Sequence, residues 1–240
     1  MSNINKKYKL ISNLIIIFIL ICVFTFGFFS SRIVPISSYD NQKLEAIYKG
    51  NVNEKKVSLM FNVYENSEVV NQILSILQEK NVKATFFVGG CWADDNENTL
   101  KNIIDSGNEL GNHGYFHKDH ARISYEKNKE EILNTEKIVS ALCEYKTTLF
   151  APPSGSFSYD TLEVADTLGY KTIMWSKDTI DWRDKSVSKI VERATKNPEN
   201  GDLILMHPKN HTVEALGTII DFYQELGFEL VCVGENIKVD

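Results

Sequence analysis

The sequence predicts an α/β fold, a parallel sheet covered by helices, and three observations carry that prediction. Short β-rich runs alternate with stretches of helical apolar periodicity along about 180 residues. About 200 residues follow a separate apolar segment near the N-terminus, enough for one domain with a substantial core. The unusual polar residues gather just after the strands, where the loops of an α/β barrel form its active face.

In order, Lys56–Val63 reads as a strand and Ser67–Glu79 as a helix, with apolar residues at Val69, Val70, Ile73, Leu74 and Leu77. Ala84–Val88 is a strand closed by Gly89-Gly90, and Thr99–Asp105 a helix that Gly107 ends. Glu109–Asn112 leads into the histidine segment. Ser124 is a good N-cap for the long helix that follows. Thr148–Ala151, Tyr170–Trp175, Asp202–Met206 and Glu229–Val233 are the later strands; Thr161–Leu168, Ser188–Ala194 and Thr212–Leu226 are the later helices.

Ahead of this lies an apolar run, residues 10–29, long enough for a bilayer core of about 30 Å. Lys6, Lys7 and Lys9 precede it and Arg32 follows, which keeps the N-terminus in the cytoplasm. The flanks carry no Ala-x-Ala-like cleavage site, so a signal anchor is favoured over a cleaved signal peptide. The expected division is a cytoplasmic tail (1–9), a transmembrane anchor (10–29), a polar stalk (30–54) and an extracytoplasmic domain (55–240). A net charge of −6 leaves no footprint for nucleic acid. The absence of GxGxxG and P-loop motifs argues against nucleotide binding. Cys91, Cys143 and Cys232 lack CxxC spacing and receive no catalytic role.

The chemistry centres on His113 and His117. Four residues apart, they fall on one side of a helical turn and can share a divalent metal. Other candidates stand at successive strand exits: Asn62–Asn66, Pro152–Ser156, Asp178–Trp182 and His207. The absence of HExxH argues against a metalloprotease, and nothing fixes the separation of two carboxylates for a glycosidase.

Five phrases occur in order: Ala84-Thr-Phe-Phe-Val88, Gly107–His117, Pro152-Pro-Ser-Gly155, Asp178-Thr-Ile-Asp-Trp182 and Leu203-Ile-Leu-Met-His207. Together they make Lys55–Val233 resemble the polysaccharide deacetylases with the NodB homology domain (carbohydrate esterase family 4), most of all the branch associated with spore-forming Gram-positive bacteria. The resemblance implies a distorted (β/α) barrel and metal-assisted hydrolysis of an N-acetyl group on a cell-wall amino sugar, with peptidoglycan the expected polymer for an outward-facing anchored domain. It implies that His113 and His117 hold the metal, Zn or a similar ion such as Co, which lowers the pKa of bound water. It implies that His207 is the general acid and that Asp181 orients it. Trp182, Leu205 and Pro153 would line the acetyl pocket, with the Ser154 N–H as oxyanion donor.

The first motif departs from the family's Thr-Phe-Asp-Asp-Gly. Asn62 stands at the base position and Val63 at the third-ligand position; Ala151 replaces the arginine that accompanies the base. An amide has no useful basicity and valine binds no metal. Either Glu65 supplies a substitute carboxylate, as ligand or base, and an altered or weak hydrolase remains, or the site binds cell-wall glycan or a protein without turnover.

Overall fold

The computed structural model describes residues 14–19 and 44–238. Residues 14–19 are helical (α1), in a unit that ends at Lys43. The expected anchor lies mostly outside the described residues, among which no helix is long and apolar enough to cross a membrane.

The second unit begins at Leu44. Its elements run β1 (Lys56–Val63), α2 (Ser67–Glu79), β2 (Thr85–Val88), α3 (Gly90–Asp95), α4 (Glu97–Asp105), β3 (Glu109–Asn112), α5 (Tyr125–Cys143) and β4 (Leu149–Phe150). After a 3₁₀ turn at Pro153–Gly155 come α6 (Tyr159–Thr167), β5 (Lys171–Thr172), β6 (Lys177–Asp178), α7 (Val187–Thr195), β7 (Leu203–Met206), α8 (Asn210–Glu225), β8 (Glu229–Leu230) and α9 (Val233–Asn236). The strands pair in parallel in the order β5-β4-β3-β2-β1-β7-β6, and β8 adds to β1. The sheet curls into a half-barrel that does not close between β5 and β6, the expected α/β class with an open seam.

Alternation along the strands sorts two cores. Leu59, Phe61 and Val63 of β1 turn toward the helices and pack with Val70, Ile73, Leu216 and Ile220. Met60 turns the other way, into an inner cluster with Phe87, Ala151 and Leu205. Phe87 lies opposite Gly111 of β3, where a Cβ would come within 2.3 Å of the Phe87 ring. That glycine gives the ring its space inside the curl. The Ser124 hydroxyl caps α5 by accepting from the Lys127 N–H, as its residue type predicts.

Four expectations are corrected. The stalk does not reach residue 54. The Ile47 N–H donates to the Thr172 carbonyl, the Met174 N–H to that of Ile47, and the Asn51 N–H to that of Asn236, tying residues 44–54 into the folded unit. Gly90 opens a short helix instead of only ending a strand; Glu109–Asn112, for which the pattern predicts no element, is a strand. The final strand stops at Leu230, and Val233 begins a helix. The histidine segment is not a helical turn, because Gly114 (φ 70°) and His117 (φ 53°) adopt left-handed backbone. At Gly114 a Cβ would also stand 2.9 Å from the His120 ring.

Candidate active site

At the carboxyl ends of the strands lies a cavity of about 480 Å³, within the range of small-ligand sites. The β1 exit contributes Asn62, Tyr64 and Glu65, and the β3 exit His113 and His117. Ser154, Trp175 and Trp182 come from the loops after β4, β5 and β6, and Asp178 is the last residue of β6; Leu205, His207, Pro208 and Lys209 come from β7 and its exit. The structure therefore brings together every predicted site residue except Asp181, which stands behind His207, and Pro153, which is buried outside the lining. Pro153 is corrected from a pocket contact to a support of the wall.

His113 is buried, and its Nδ1 donates to the Ala151 carbonyl at 2.7 Å. A carbonyl only accepts, so Nδ1 carries the proton and Nε2 keeps its lone pair. Burial, then the charge of His117, pushes its pKa down to about 3. The His117 ring lies 5.2 Å from that of His113, and burial lowers its pKa as well. Both are held by a loop whose hydrogen bonds lead to α5. The Glu131 carboxylate accepts from the N–H groups of Tyr115 (2.8 Å) and Phe116 (2.7 Å). His120 is fully buried, with Nδ1 donating to the Asn128 Oδ1 at 2.7 Å.

His120 gives the fold a pH signature. Burial pushes its pKa down to about 4 from an ordinary 6.5. A histidine that must stay neutral contributes stability above its unfolded pKa, and that stability is lost as pH falls toward the folded value. The Tm is expected to drop by several degrees between pH 7 and about 4.5. Calorimetry across that range checks it; because His113 and His117 are shifted in the same direction, His120→Gln should reduce the drop and leave their part of it.

On the opposite wall, the Asp181 carboxylate is almost fully buried. It accepts from His207 Nδ1 at 2.8 Å, from the His207 N–H at 2.7 Å and from the Thr212 hydroxyl at 2.7 Å. Burial alone would raise its pKa, but the hydrogen bond and charge of His207, with Thr212 and the His207 N–H, carry it below the ordinary value. His211 adds a bond through Nε2 to the Asp181 carbonyl. The pair fixes the His207 ring with Nε2 free, the geometry a proton donor needs.

The β1 exit is different. The Asn62 side chain lines the cavity and is only 5% exposed, and its Oδ1 has no hydrogen-bond partner among the described residues. Val63 turns away into the helix-facing core, fully buried. The Glu65 carboxylate lines the mouth, but it is paired with the Lys209 ammonium. Among the described residues no three His, Cys, Asp or Glu groups are placed to hold a metal. A catalytic zinc takes three protein ligands. Two imidazoles beside a neutral amide do not fit one.

Five lining residues have no role in the motif pattern: Tyr64, Trp175, Asp178, Pro208 and Lys209. Tyr64 packs its ring 5.2 Å from that of His117. Trp175, Pro208 and Lys209 complete the wall. Their signal was position alone, each within two residues of a named motif residue or at a strand exit.

The model described as polysaccharide deacetylase matches residues 49–173. The chain belongs to the polysaccharide deacetylase family. The uncharacterised protein YlxY of Bacillus subtilis is 35% identical over 85% of this chain, which spans 64% of that relative's length. A peptidoglycan-N-acetylglucosamine deacetylase of Bacillus cereus is 32% identical, over 79% of this chain and 71% of its own. Among solved structures, a protein described as a CE4 family pseudoenzyme from Bacillus anthracis superposes with a TM-score of 0.78 at 36% identity, over 80% of this chain and 69% of its own. A mutant of that pseudoenzyme, with TM-score 0.78 and 35% identity over 80% and 71% of the two chains, is described as having restored enzymatic activity. The named relatives are deacetylases, hydrolases of carbon–nitrogen bonds, and the family as a whole is metal-dependent.

Proposed function

We propose that this chain is a peptidoglycan-directed member of the family that binds N-acetylated amino-sugar glycan and turns it over far more slowly than its deacetylase relatives, if at all. One observation carries the reading: the cavity faces an amide at Asn62, while Val63 points into the opposite core. Removing a general base costs typically about 10²–10⁴-fold in rate. The remaining walls suit a sugar acetamide, with apolar surface from Leu205 and Trp182 and hydrogen-bonding groups at His113, His207 and Ser154. The peptidoglycan preference is supported by the substrate named for the Bacillus cereus relative. A tightly held zinc or cobalt ion is not part of the proposal.

The proposal includes an N-terminal anchor over residues 10–29, which the apolar run and its basic flank support, with residues 44–240 outside the cytoplasm. The intact Asp181–His207 pair favours a second reading, a slow hydrolase that keeps its acid.

The two separate in one experiment, glycan binding and acetate release measured with and without EDTA. The binding reading expects affinity for N-acetylated peptidoglycan fragments that is indifferent to the chelator, with acetate release at least about 100-fold below that of the deacetylase relatives. Chelator-sensitive acetate release that His207→Ala abolishes would establish the slow hydrolase instead.

A further inference from the structure

Asn62 is the one polar side chain of the cavity that is both deeply buried and unanswered. Its Oδ1 has no partner among the described residues, and no hydrogen bond engages its Nδ2. Polar groups buried without partners are rare and costly in folded proteins. Four of the recognising groups around it are already committed on one side: His113 to the Ala151 carbonyl, His207 to Asp181, Glu65 to Lys209 and the Asp178 Oδ1 to the Ile180 N–H. The strand fixes where the free amide points. Met60, two residues earlier on the same face, belongs to the inner cluster with Leu205, so Asn62 faces the curl's interior above an apolar floor.

A primary carboxamide offers one acceptor and two donors side by side. The group that answers it is another amide, whose N–H donates to Oδ1 while its C=O accepts from Nδ2. The arrangement is indifferent to which way the Asn62 amide is turned, because the acetamide carries both functions. A free amine carries only donors. As an ammonium it would leave Nδ2 unanswered and set its charge against Leu205, which is 2% exposed.

We infer that Asn62 makes the cavity a reader of acetylation state, binding the acetamido group of an amino sugar through a two-point amide pair and rejecting the deacetylated sugar. The inference rests on the glycan-binding function proposed above and names the group that binding depends on. A position where the family motif carries a carboxylate that drives hydrolysis becomes, with an amide, one that recognises the substrate without consuming it.

The test is calorimetric titration of the full-length protein with chitotetraose and with its fully N-deacetylated tetramer. The N-acetylated tetramer is expected to bind at least about tenfold more tightly, the order of two net hydrogen bonds. Asn62→Ala should bring the ratio close to one by weakening the acetylated ligand. Asn62→Asp keeps the shape but only accepts, so it should weaken the acetylated tetramer and strengthen the ammonium form. That isosteric variant carries the test if the alanine variant does not fold. Equal binding of both tetramers by the unsubstituted protein overturns the inference, as does a preference that neither substitution changes; both outcomes leave glycan binding standing. Binding of neither tetramer overturns the glycan-binding function itself.

Discussion

The Asn62→Asp, Val63→Asp double variant is expected to bind one divalent metal ion and to release acetate from N-acetylated glycan at least about 100-fold faster than the unsubstituted chain. Each single variant is expected to do neither. The two positions supply separate functions. Asn62 already faces the cavity, so an aspartate there becomes a base without moving the backbone. Val63 is the last residue of β1 and points into the apolar layer beneath α2 and α8. A carboxylate cannot stay in that layer unpaired. It must bend around the strand end toward His113 and His117, and the metal supplies the reason to do so. The Val63→Asp change therefore carries its own signature, a lower Tm that added metal raises in the double variant but not in the single one. Activity restored in a mutant of the Bacillus anthracis pseudoenzyme sets a precedent on the same fold. An arginine at Ala151 is left out of the variant. Ala151 is fully buried in the inner cluster, and so large a side chain would overpack it. A well-folded double variant that binds no metal would refute the roles assigned to positions 62 and 63.

The sheet and its exits were legible because their causes are local. β1 and α2 follow from apolar periodicity, and their observed bounds, Lys56–Val63 and Ser67–Glu79, are those the pattern predicts. The histidines, Asp181 and His207 could be located because they occupy strand exits in a known motif order. What escaped the sequence has tertiary causes. β3 reads Glu-Leu-Gly-Asn, a poor strand by composition, and its Gly111 answers to the Phe87 ring on the neighbouring strand. Residues 44–53 mix polar and apolar residues without a period and look like a tether, yet main-chain hydrogen bonds, which leave no mark on side-chain pattern, fasten them to the half-barrel. The left-handed backbone at His117 has no glycine to announce it. Glu65 is chemically a candidate carboxylate, and only the position of Lys209, 144 residues away in sequence, shows it to be engaged. The direction of Val63 could have been read from alternation, since Leu59, Phe61 and Val63 share a face.

Asp181→Ala is expected to cost about 1–3 kcal/mol of folding stability, the range for leaving buried donors without their acceptor. The carboxylate is 1% exposed and its oxygens accept three hydrogen bonds from two elements, His207 at the β7 exit and Thr212 in the first turn of α8. Alanine leaves the His207 N–H and the Thr212 hydroxyl facing a small void, and it frees the His207 ring. Urea denaturation at neutral pH should show a lower midpoint with an unchanged slope. The pH dependence identifies the cause. Because the folded pKa of Asp181 lies below its ordinary 3.8, the stabilisation is complete at pH values above that figure and is lost as pH falls through the folded value. The gap between the unsubstituted chain and the variant should therefore narrow as the pH falls into strong acid. A gap that stays constant into strong acid would mean that side-chain volume, not the carboxylate's hydrogen bonds, accounts for the loss. Asp181→Asn sharpens the distinction. It preserves the volume and one accepting oxygen but opposes an NH₂ group to a donor on His207 or Thr212, so it should recover less than half of the lost stability. The same substitution should let the His207 ring turn, removing the fixed Nε2 that an acid catalyst requires. In the double variant at positions 62 and 63, adding Asp181→Asn is expected to abolish most of the restored acetate release while leaving metal affinity unchanged.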